Sequence, residues 1–192
     1  MQVCLVFQNA GVPCFCGIII FYNMVDRYYF REARLSDLPV IGGIFRDAVA
    51  RMLAEGKQQW DENYPTEYDV LADLAGHTGY VMELNGRVVA YGAVSFDGET
   101  AYDGLQGEWS SDGPYVVVHR LAVARDAQCS GIARRFFDAA ERLAAEQGIG
   151  SFRVDTNFDN DRMLRLLNNL GFVYCGEITY PKGTRMAFEK LI

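Results

Sequence analysis

The segment that most constrains the fold of this chain is a strand, a short turn and a helix within residues 116–147. Residues 116–123 form an apolar, β-branched run that predicts a strand, and an apolar stripe at helical spacing begins at Phe136. The turn at residues 128–133 leaves unpaired N–H groups at the positive end of the helix dipole, and Gly131 lets a ligand approach closely. The segment therefore predicts a phosphate or pyrophosphate site. The dinucleotide-binding and P-loop glycine patterns are absent from it.

This turn, read as Gln-x-x-Gly-x-Ala, resembles the acetyl-CoA pyrophosphate motif of the GNAT superfamily of N-acetyltransferases. Residues 151–156 predict the next strand, and Asn160 opens a helix that ends at Gly171-Phe172. The superfamily places an Asn eleven residues before such a Gly-Phe pair, which is the spacing found here. The resemblance covers the chain roughly from Tyr28 to the C-terminus. It implies a mixed α/β acyl-CoA N-acyltransferase fold, with a mostly antiparallel central sheet of about seven strands and helices on both faces.

The resemblance also implies where acetyl-CoA, the co-substrate, binds. It would thread an opening between the strands at 116–123 and 151–156, and backbone groups of one strand would pair with the pantetheine arm. Main-chain N–H groups of the turn would hold the pyrophosphate, and an asparagine would bind near the pantetheine. The implied acetyl-CoA site consists of Leu121, Ala122, Val123, Gln128, Cys129, Ser130, Gly131, Ile132, Ala133 and Asn160.

Acetylation of an amine requires a base that removes a proton from the ammonium and a donor that polarises the thioester carbonyl. His119 on the predicted central strand is the first candidate base, because a histidine exchanges protons near neutral pH. A structural histidine beside Arg120 explains it equally well. Asp155 on the neighbouring strand is the second candidate base, and its structural alternative is an ion pair with Arg153 or a turn cap.

The departing thiolate also needs a proton. In many members of the superfamily a tyrosine four residues before the Gly-Phe pair supplies it, but this chain has Leu167 at that position. Tyr174, just beyond the pair, is the substitute candidate. The missing tyrosine also favours an alternative interpretation, a non-catalytic module that binds acyl-CoA.

The acceptor pocket is expected from two segments that the superfamily does not share, residues 59–65 and 107–113. Aromatic rings there could form its walls, and carboxylates could balance the charge of an ammonium. The candidate substrate-binding residues are Trp60, Tyr64, Glu108 and Trp109, with further carboxylates at Asp61, Glu62 and Asp112. The alternative for Trp60 is a hydrophobic plug between helices.

The bulk properties exclude several classes of partner. The net charge is −7 and no Lys/Arg run exceeds a pair, which argues against nucleic-acid and anionic-membrane partners. Two histidines and the lack of His-x-x-x-His and Cys-x-x-Cys spacings predict no metal site. Five cysteines without a repeating pattern indicate a reduced, cytoplasmic protein.

The first 23 residues carry no charge, and polar residues and a proline interrupt their apolar run. This pattern favours neither a secretory signal nor a membrane span. We expect Met24 to begin a single domain, residues 24–192, with residues 1–23 as a non-native or disordered extension. A membrane anchor or an added strand is the alternative.

These features together predict a cytoplasmic, acetyl-CoA-dependent N-acetyltransferase that acts on a primary amine of a small molecule. Transfer would be direct, because the bound amine is itself the nucleophile and needs no covalent enzyme intermediate. The rival acceptor is a protein N-terminus or lysine, which would require an open groove. A homodimer is an expectation from the resemblance alone, since dimers are common in the superfamily.

Overall fold

One eight-stranded sheet organises the part of the chain that the computed structural model describes, residues 26–57 and 59–192. The expected N-terminal extension at residues 1–23 lies outside these ranges. Along the sheet the strand order is β1-β2-β3-β5-β6-β8-β7-β4, and every neighbouring pair except β5 and β6 is antiparallel. The strands are β1 Tyr28–Glu32, β2 Gly79–Leu84, β3 Arg87–Ser95, β4 Gln106–Gly107, β5 Tyr115–Val123, β6 Ser151–Thr156, β7 Val173–Tyr180 and β8 Gly183–Leu191.

Four helices pack on the two faces of this sheet: α1 Leu38–Ala54, α2 Glu67–Ala75, α3 Ile132–Glu146 and α4 Asp161–Leu170. Neighbouring residues of a strand point to opposite faces, so Met82 joins the cluster around α3 while Val81 joins the cluster around α1. The predicted fold class is confirmed. The eighth strand is the two-residue β4, which lies in a segment that the sequence presents as a loop. No described helix is both long and apolar enough to cross a membrane.

The parallel pair β5 and β6 separates along its length. Its ladder joins Tyr115 to Ser151, Val116 to Phe152 and Val117 to Arg153, and it stops there. Both strands nevertheless continue, to Val123 and Thr156. An opening between the carboxyl ends of two neighbouring strands therefore exists where sheet hydrogen bonds would otherwise lie.

A β-bulge at Arg120 reshapes β5 beside that opening. The register with β3 shifts between Tyr91 and Ala93, and Arg120 has a left-handed φ of 55°. A non-glycine residue in this conformation requires support from its surroundings. The support comes from Asp73 of α2, which binds two guanidinium nitrogens of Arg120 and accepts a 2.6 Å hydrogen bond from the Tyr91 hydroxyl.

The insert at residues 97–113 folds back onto the sheet rather than remaining a free loop. Its β4 pairs with β7 where Gly107 faces Gly176, and a Cβ on either would overlap a carbonyl oxygen of the other strand. Its Trp109 ring lies 4.3 Å from the Arg153 guanidinium. The buried Glu189 of β8 accepts hydrogen bonds from Ser110 N and the Ser111 hydroxyl in the insert, and from Arg153. The insert is therefore anchored by buried polar contacts.

Candidate active site

An outer cleft of about 460 Å3 lies where β5 and β6 separate. It is bounded by the end of α1, the end of β5, the turn before α3 and the beginning of α4. Nine of the ten residues predicted to bind acetyl-CoA line it: Leu121, Ala122, Val123, Gln128, Cys129, Gly131, Ile132, Ala133 and Asn160. Ser130 is the exception, and its hydroxyl donates to the Ala127 carbonyl.

The turn before α3 directs main-chain N–H groups into the outer cleft. Gly131 caps the helix in a left-handed conformation with φ of 78°, and Cys129 has φ of 62°. The first hydrogen bond of α3 runs from Arg135 N to Gly131 O. The preceding N–H groups of the first turn have no helical carbonyl to bind, so they can bind an anion. A Cβ at Gly131 would meet nothing within 4 Å, so space alone does not require glycine there.

Basic side chains surround the outer cleft: Arg51, Lys57, Arg134, Arg162 and Arg165. Glu55 is the single acidic residue of the described lining, and it pairs with Lys57 and Arg162, each at 2.9 Å. Burial lowers the pKa of Arg51, and the charge of Arg162 lowers it further. This excess of positive charge suits a polyphosphate. Arg51, Arg162 and Arg165 were not predicted as part of the site, because a lone arginine on a helix carries no local signal of binding.

A smaller inner cavity of about 60 Å3 adjoins the outer cleft. Five residues line both: Met52, Trp60, Leu121, Asn160 and Met163. The polar side chains of the inner cavity come from β5, β6, β8 and the link after α1: Gln59, Tyr64, His119, Arg120, Asp155, Thr156, Asn160 and Arg185. Asn160 also caps α4, because its Oδ1 accepts from Met163 N at 3.3 Å and its Nδ2 donates to the Thr156 hydroxyl at 3.1 Å.

His119 forms a pair with Glu99 of the insert. Its Nε2 lies 3.2 Å from Glu99 Oε2, and the other Glu99 oxygen accepts from Ala101 N at 3.1 Å. The hydrogen bond with His119 lowers the pKa of Glu99 below its ordinary value. An ionised Glu99 favours the tautomer with hydrogen on Nε2, which leaves Nδ1 of His119 free to accept a proton. Glu99 was not predicted as a partner of His119, since nothing in the polar insert distinguishes it from the neighbouring acids.

Asp155 is a buried anchor rather than a free base. Its side chain is 1% exposed, and its oxygens accept from Arg185 at 2.8 Å, Tyr102 at 2.9 Å and Tyr180 at 3.2 Å. Burial, followed by the charge of Asp155, raises the pKa of both tyrosines, so they remain protonated donors. Neither predicted alternative for Asp155 holds, because Arg153 instead pairs with Glu189 at 3.1 Å.

The remaining predicted residues divide into two groups. Trp60 and Tyr64 line the inner cavity. Tyr174, Glu108 and Trp109 line neither cavity. β7 carries Tyr174 and Glu108 follows β4 at the edge of the sheet, whereas Trp109 lies over Arg153 of β6. The Tyr174 ring packs 5.7 Å from Phe188, Glu108 is exposed, and Trp109 packs on Tyr102. Leu167 is completely buried in the core, so no hydroxyl occupies its place. Among the described residues no cluster of His, Cys, Asp or Glu could hold a metal ion.

Comparisons with known proteins agree with this geometry. A sequence profile of the Acetyltransferase (GNAT) family matches residues 46–172. A GNAT-family acetyltransferase structure from Streptococcus agalactiae 2603 is similar at a TM-score of 0.79 and 29% identity, over 86% of this chain and 95% of that chain. One from Listeria monocytogenes 4b F2365 is similar at 0.69 and 17%, over 86% and 95%. The structure of yncA from Salmonella typhimurium, solved with its cofactor acetyl-CoA, is similar at 0.62 and 17%, over 85% and 93%.

A comparison with curated protein sequences gave no match. The resemblance inferred from the turn, Asn160 and Gly171-Phe172 is confirmed by the family profile, and the enzyme class is that of an N-acetyltransferase. The chain belongs to the acetyltransferase (GNAT) family.

Proposed function

We propose that this enzyme transfers the acetyl group of acetyl-CoA to a primary amine of a small molecule. The observation that carries the proposal is the change in character along the site. A wide cleft lined by cations and open N–H groups leads into a cavity of about 60 Å3 beside His119. The first suits the polyphosphate end of a coenzyme, and the second suits a compact acceptor.

The residues present fit acetyl-CoA. The N–H groups at the start of α3 and the basic side chains of the outer cleft would hold its phosphates. Beyond Val117, β5 has no ladder partner on its β6 side, so backbone groups of Leu121 to Val123 can pair with the pantetheine amides. Asn160 lines both cavities and would bind the same arm. Bound acetyl-CoA supplies an activated thioester, and the protein supplies orientation and proton transfer.

Proton removal from the acceptor is assigned to Nδ1 of His119. The bound ammonium loses a proton to Nδ1, and the neutral amine nitrogen then forms a bond to the thioester carbon as the carbon–sulfur bond breaks. The second proton of the amine nitrogen leaves as the amide forms and replaces the proton that the acid of the site gives to the thiolate. Glu99 keeps the other ring nitrogen protonated and balances the imidazolium that results. A main-chain N–H of β5 stabilises the carbonyl oxygen during attack.

The proton that the thiolate takes up is assigned to the Tyr64 hydroxyl instead of Tyr174. Tyr64 lines the inner cavity, whereas Tyr174 lies outside it. The Tyr64 oxygen accepts a 3.4 Å hydrogen bond from Arg120 Nη1, which holds the hydroxyl in place beside the cavity. Tyr64 would serve as both a wall of the cavity and an acid.

A small acceptor is favoured over a peptide because the inner cavity holds only about 60 Å3. Lys182, in the turn between β7 and β8, pairs at 2.9 Å with Asp61 of the link after α1, the segment that supplies Trp60 and Tyr64 to this cavity. The cytoplasmic location stays part of the proposal, supported by Cys129 and Cys175, which are both free thiols. The homodimer stays a prediction.

Calorimetric titration with acetyl-CoA tests the cofactor site, comparing the wild type with Gly131→Asp and Gly131→Asn. Both substituents tolerate the left-handed conformation and have nearly the same size, so the pair isolates the added negative charge. We expect binding by the wild type and the Asn variant, and its loss in the Asp variant. A folded wild type that binds no acetyl-CoA would contradict the proposal.

Thiol release with amine and peptide panels then tests the acceptor, and acetylation of peptides alone would contradict a small-molecule role.

A further inference from the structure

The inner cavity contains two arginines that differ in how fully their donors are used. Arg120 directs Nε and Nη2 to Asp73 and Nη1 to Tyr64, so each of its nitrogens has a partner. Arg185 donates from Nη1 alone, to Asp155 at 2.8 Å, within the described part of the chain. An arginine carries five N–H donors in a planar fork. Arg185 therefore presents unused N–H donors of a cation to the inner cavity.

The position of Arg185 is fixed before any ligand arrives. Its guanidinium lies 4.3 Å from the centre of the Tyr180 ring, and its side chain is 20% exposed. Asp155, which is 1% exposed, binds one nitrogen of the fork. A pre-positioned fork suits a carboxylate, which arginine binds through two parallel hydrogen bonds. Less side-chain entropy is lost on binding when the arginine is already ordered.

Acidic groups that could receive a second ammonium do not reach the inner cavity. Asp155 is the one carboxylate of its described lining, and Arg185 with two tyrosines occupies it. Asp61 and Glu62, expected as counter-charges, instead line a separate cavity of about 690 Å3 between α1 and the start of α2. Glu108 lines neither the cleft nor the inner cavity. A diamine would therefore leave its second charge unpaired there.

We propose that the acceptor is a primary amine that bears a carboxylate, such as an amino acid, and that Arg185 binds this carboxylate. The inference rests on the proposed function, because it assigns the substrate class of the same site. Arg185 would hold the acid group while Nδ1 of His119 takes the proton from the amine. His119 and Arg185 line the same inner cavity, so one molecule bound there could contact both.

The test compares acceptors in matched pairs, each an amino acid and the amine that remains when its carboxyl group is removed. Suitable pairs are leucine with isoamylamine, phenylalanine with phenethylamine, and lysine with cadaverine, together with the methyl ester of each amino acid. Thiol release from acetyl-CoA gives kcat/KM for every compound. We expect the wild type to favour at least one amino acid over its decarboxylated partner and its ester by about 10- to 100-fold, as a hydrogen-bonded charge pair implies.

The variants Arg185→Lys and Arg185→Gln test whether Arg185 is the residue that binds the carboxylate. Lysine keeps the pairing with Asp155 but loses the fork, and glutamine loses the charge. We expect the preference to shrink in the order wild type, Lys, Gln, through a higher KM for the amino acid. Turnover of both members of a pair can fall because Asp155 loses its counter-charge, so the readout is the ratio of kcat/KM within each pair. A purely structural role for Arg185 would lower both members of a pair equally and leave their ratio unchanged.

Three results would overturn the inference. Decarboxylated amines turned over as well as or better than their amino acids would refute the substrate class while leaving the small-amine function intact. A preference that survives in Arg185→Gln would show that another group binds the carboxylate. Acetyl-CoA binding without turnover of any amine would refute the proposed function, and the inference with it.

Discussion

The outer cleft and the inner cavity adjoin each other but are constructed differently. The outer cleft offers the main chain of one continuous segment, the end of β5 and the turn into α3, and basic side chains of α1 and α4 flank it. The inner cavity depends on side chains that approach from remote parts of the chain, as in the pairs His119 with Glu99 and Asp155 with Arg185. A main-chain site tolerates many side chains, whereas a side-chain site fails with one substitution. Substitutions should therefore separate coenzyme binding from turnover.

Replacement of His119 gives the sharpest separation. We expect His119→Gln to lower kcat about 10²- to 10⁴-fold, because the general base is removed. The affinity for acetyl-CoA should stay unchanged, since His119 does not line the outer cleft. Kinetics and calorimetry on the same preparation measure both quantities. Full activity in the variant would remove His119 as the base and would reduce the contrast between the two regions.

Glu189→Gln tests how far the inner cavity depends on distant anchors. Glu189 is 1% exposed, pairs with the buried Arg153, and also holds the insert that carries Glu99. We expect the free energy of unfolding to fall by about 3 kcal/mol, because a buried guanidinium loses its counter-charge. Urea unfolding at neutral pH measures this loss. An unchanged stability would mean that the insert is held by its aromatic contacts alone.

The same variant predicts a pH dependence. Burial opposes ionisation of Glu189, but hydrogen bonds from Ser151, Ser111 and Arg153 outweigh it and lower its pKa. A lowered folded-state pKa stabilises the protein above the ordinary glutamate value, about 4.3, and this stability is lost as pH falls toward the folded-state value. The stability difference between wild type and Glu189→Gln should therefore narrow on acidification below that value. A constant difference would contradict the ionised state of Glu189.

Glu99→Gln addresses the pair itself. The amide keeps the size of the side chain but removes the charge that balances the imidazolium, so we expect kcat to fall about tenfold. The affinity for acetyl-CoA should stay unchanged, because Glu99 does not line the outer cleft. The neighbouring exposed Asp97→Asn serves as a control that keeps the wild-type kcat. An unchanged kcat in Glu99→Gln would show that Glu99 has only a structural role.

The smallest effect is expected from Lys182→Ala, which removes the ion pair between the β7–β8 turn and the link that supplies Trp60 and Tyr64 to the inner cavity. Lys182 and Asp61 are both well exposed, so salt screens their attraction. We expect the KM of the acceptor to rise about two- to threefold, with acetyl-CoA affinity unchanged. High salt should remove the difference from the wild type. An equal change in acetyl-CoA affinity would show that this ion pair also affects the outer cleft.

The contrast between the two regions also explains what sequence could predict. Local patterns identify β5, the turn into α3 and the cap at Asn160, because each depends on residues near in sequence. The Asn85-Gly86 turn between β2 and β3 is equally local. These elements are enough to imply the fold and the coenzyme turn.

The features that could not be predicted depend on contacts between residues far apart in the sequence. Trp109 and Glu108 were expected at the acceptor site, but the pairing of β4 with β7 holds Glu108 at the sheet edge, and Trp109 packs on Arg153 and Tyr102. Asp155 was expected as a base, but its role depends on Arg185, which lies 30 residues later on β8. Such partners follow from strand order and register, which periodicity does not determine.

The bulge at Arg120 has a consequence for how the family can vary. Loss of Asp73 alone would leave a buried guanidinium without a counter-charge in a left-handed conformation. Glycine at position 120 alone would relax the backbone but leave the Asp73 carboxylate buried with only Tyr91 and Thr78 as hydrogen-bond donors. Neither substitution is neutral by itself, so we expect positions 73 and 120 to change together during evolution. Relatives with glycine at position 120 are therefore expected to lack an acid at position 73.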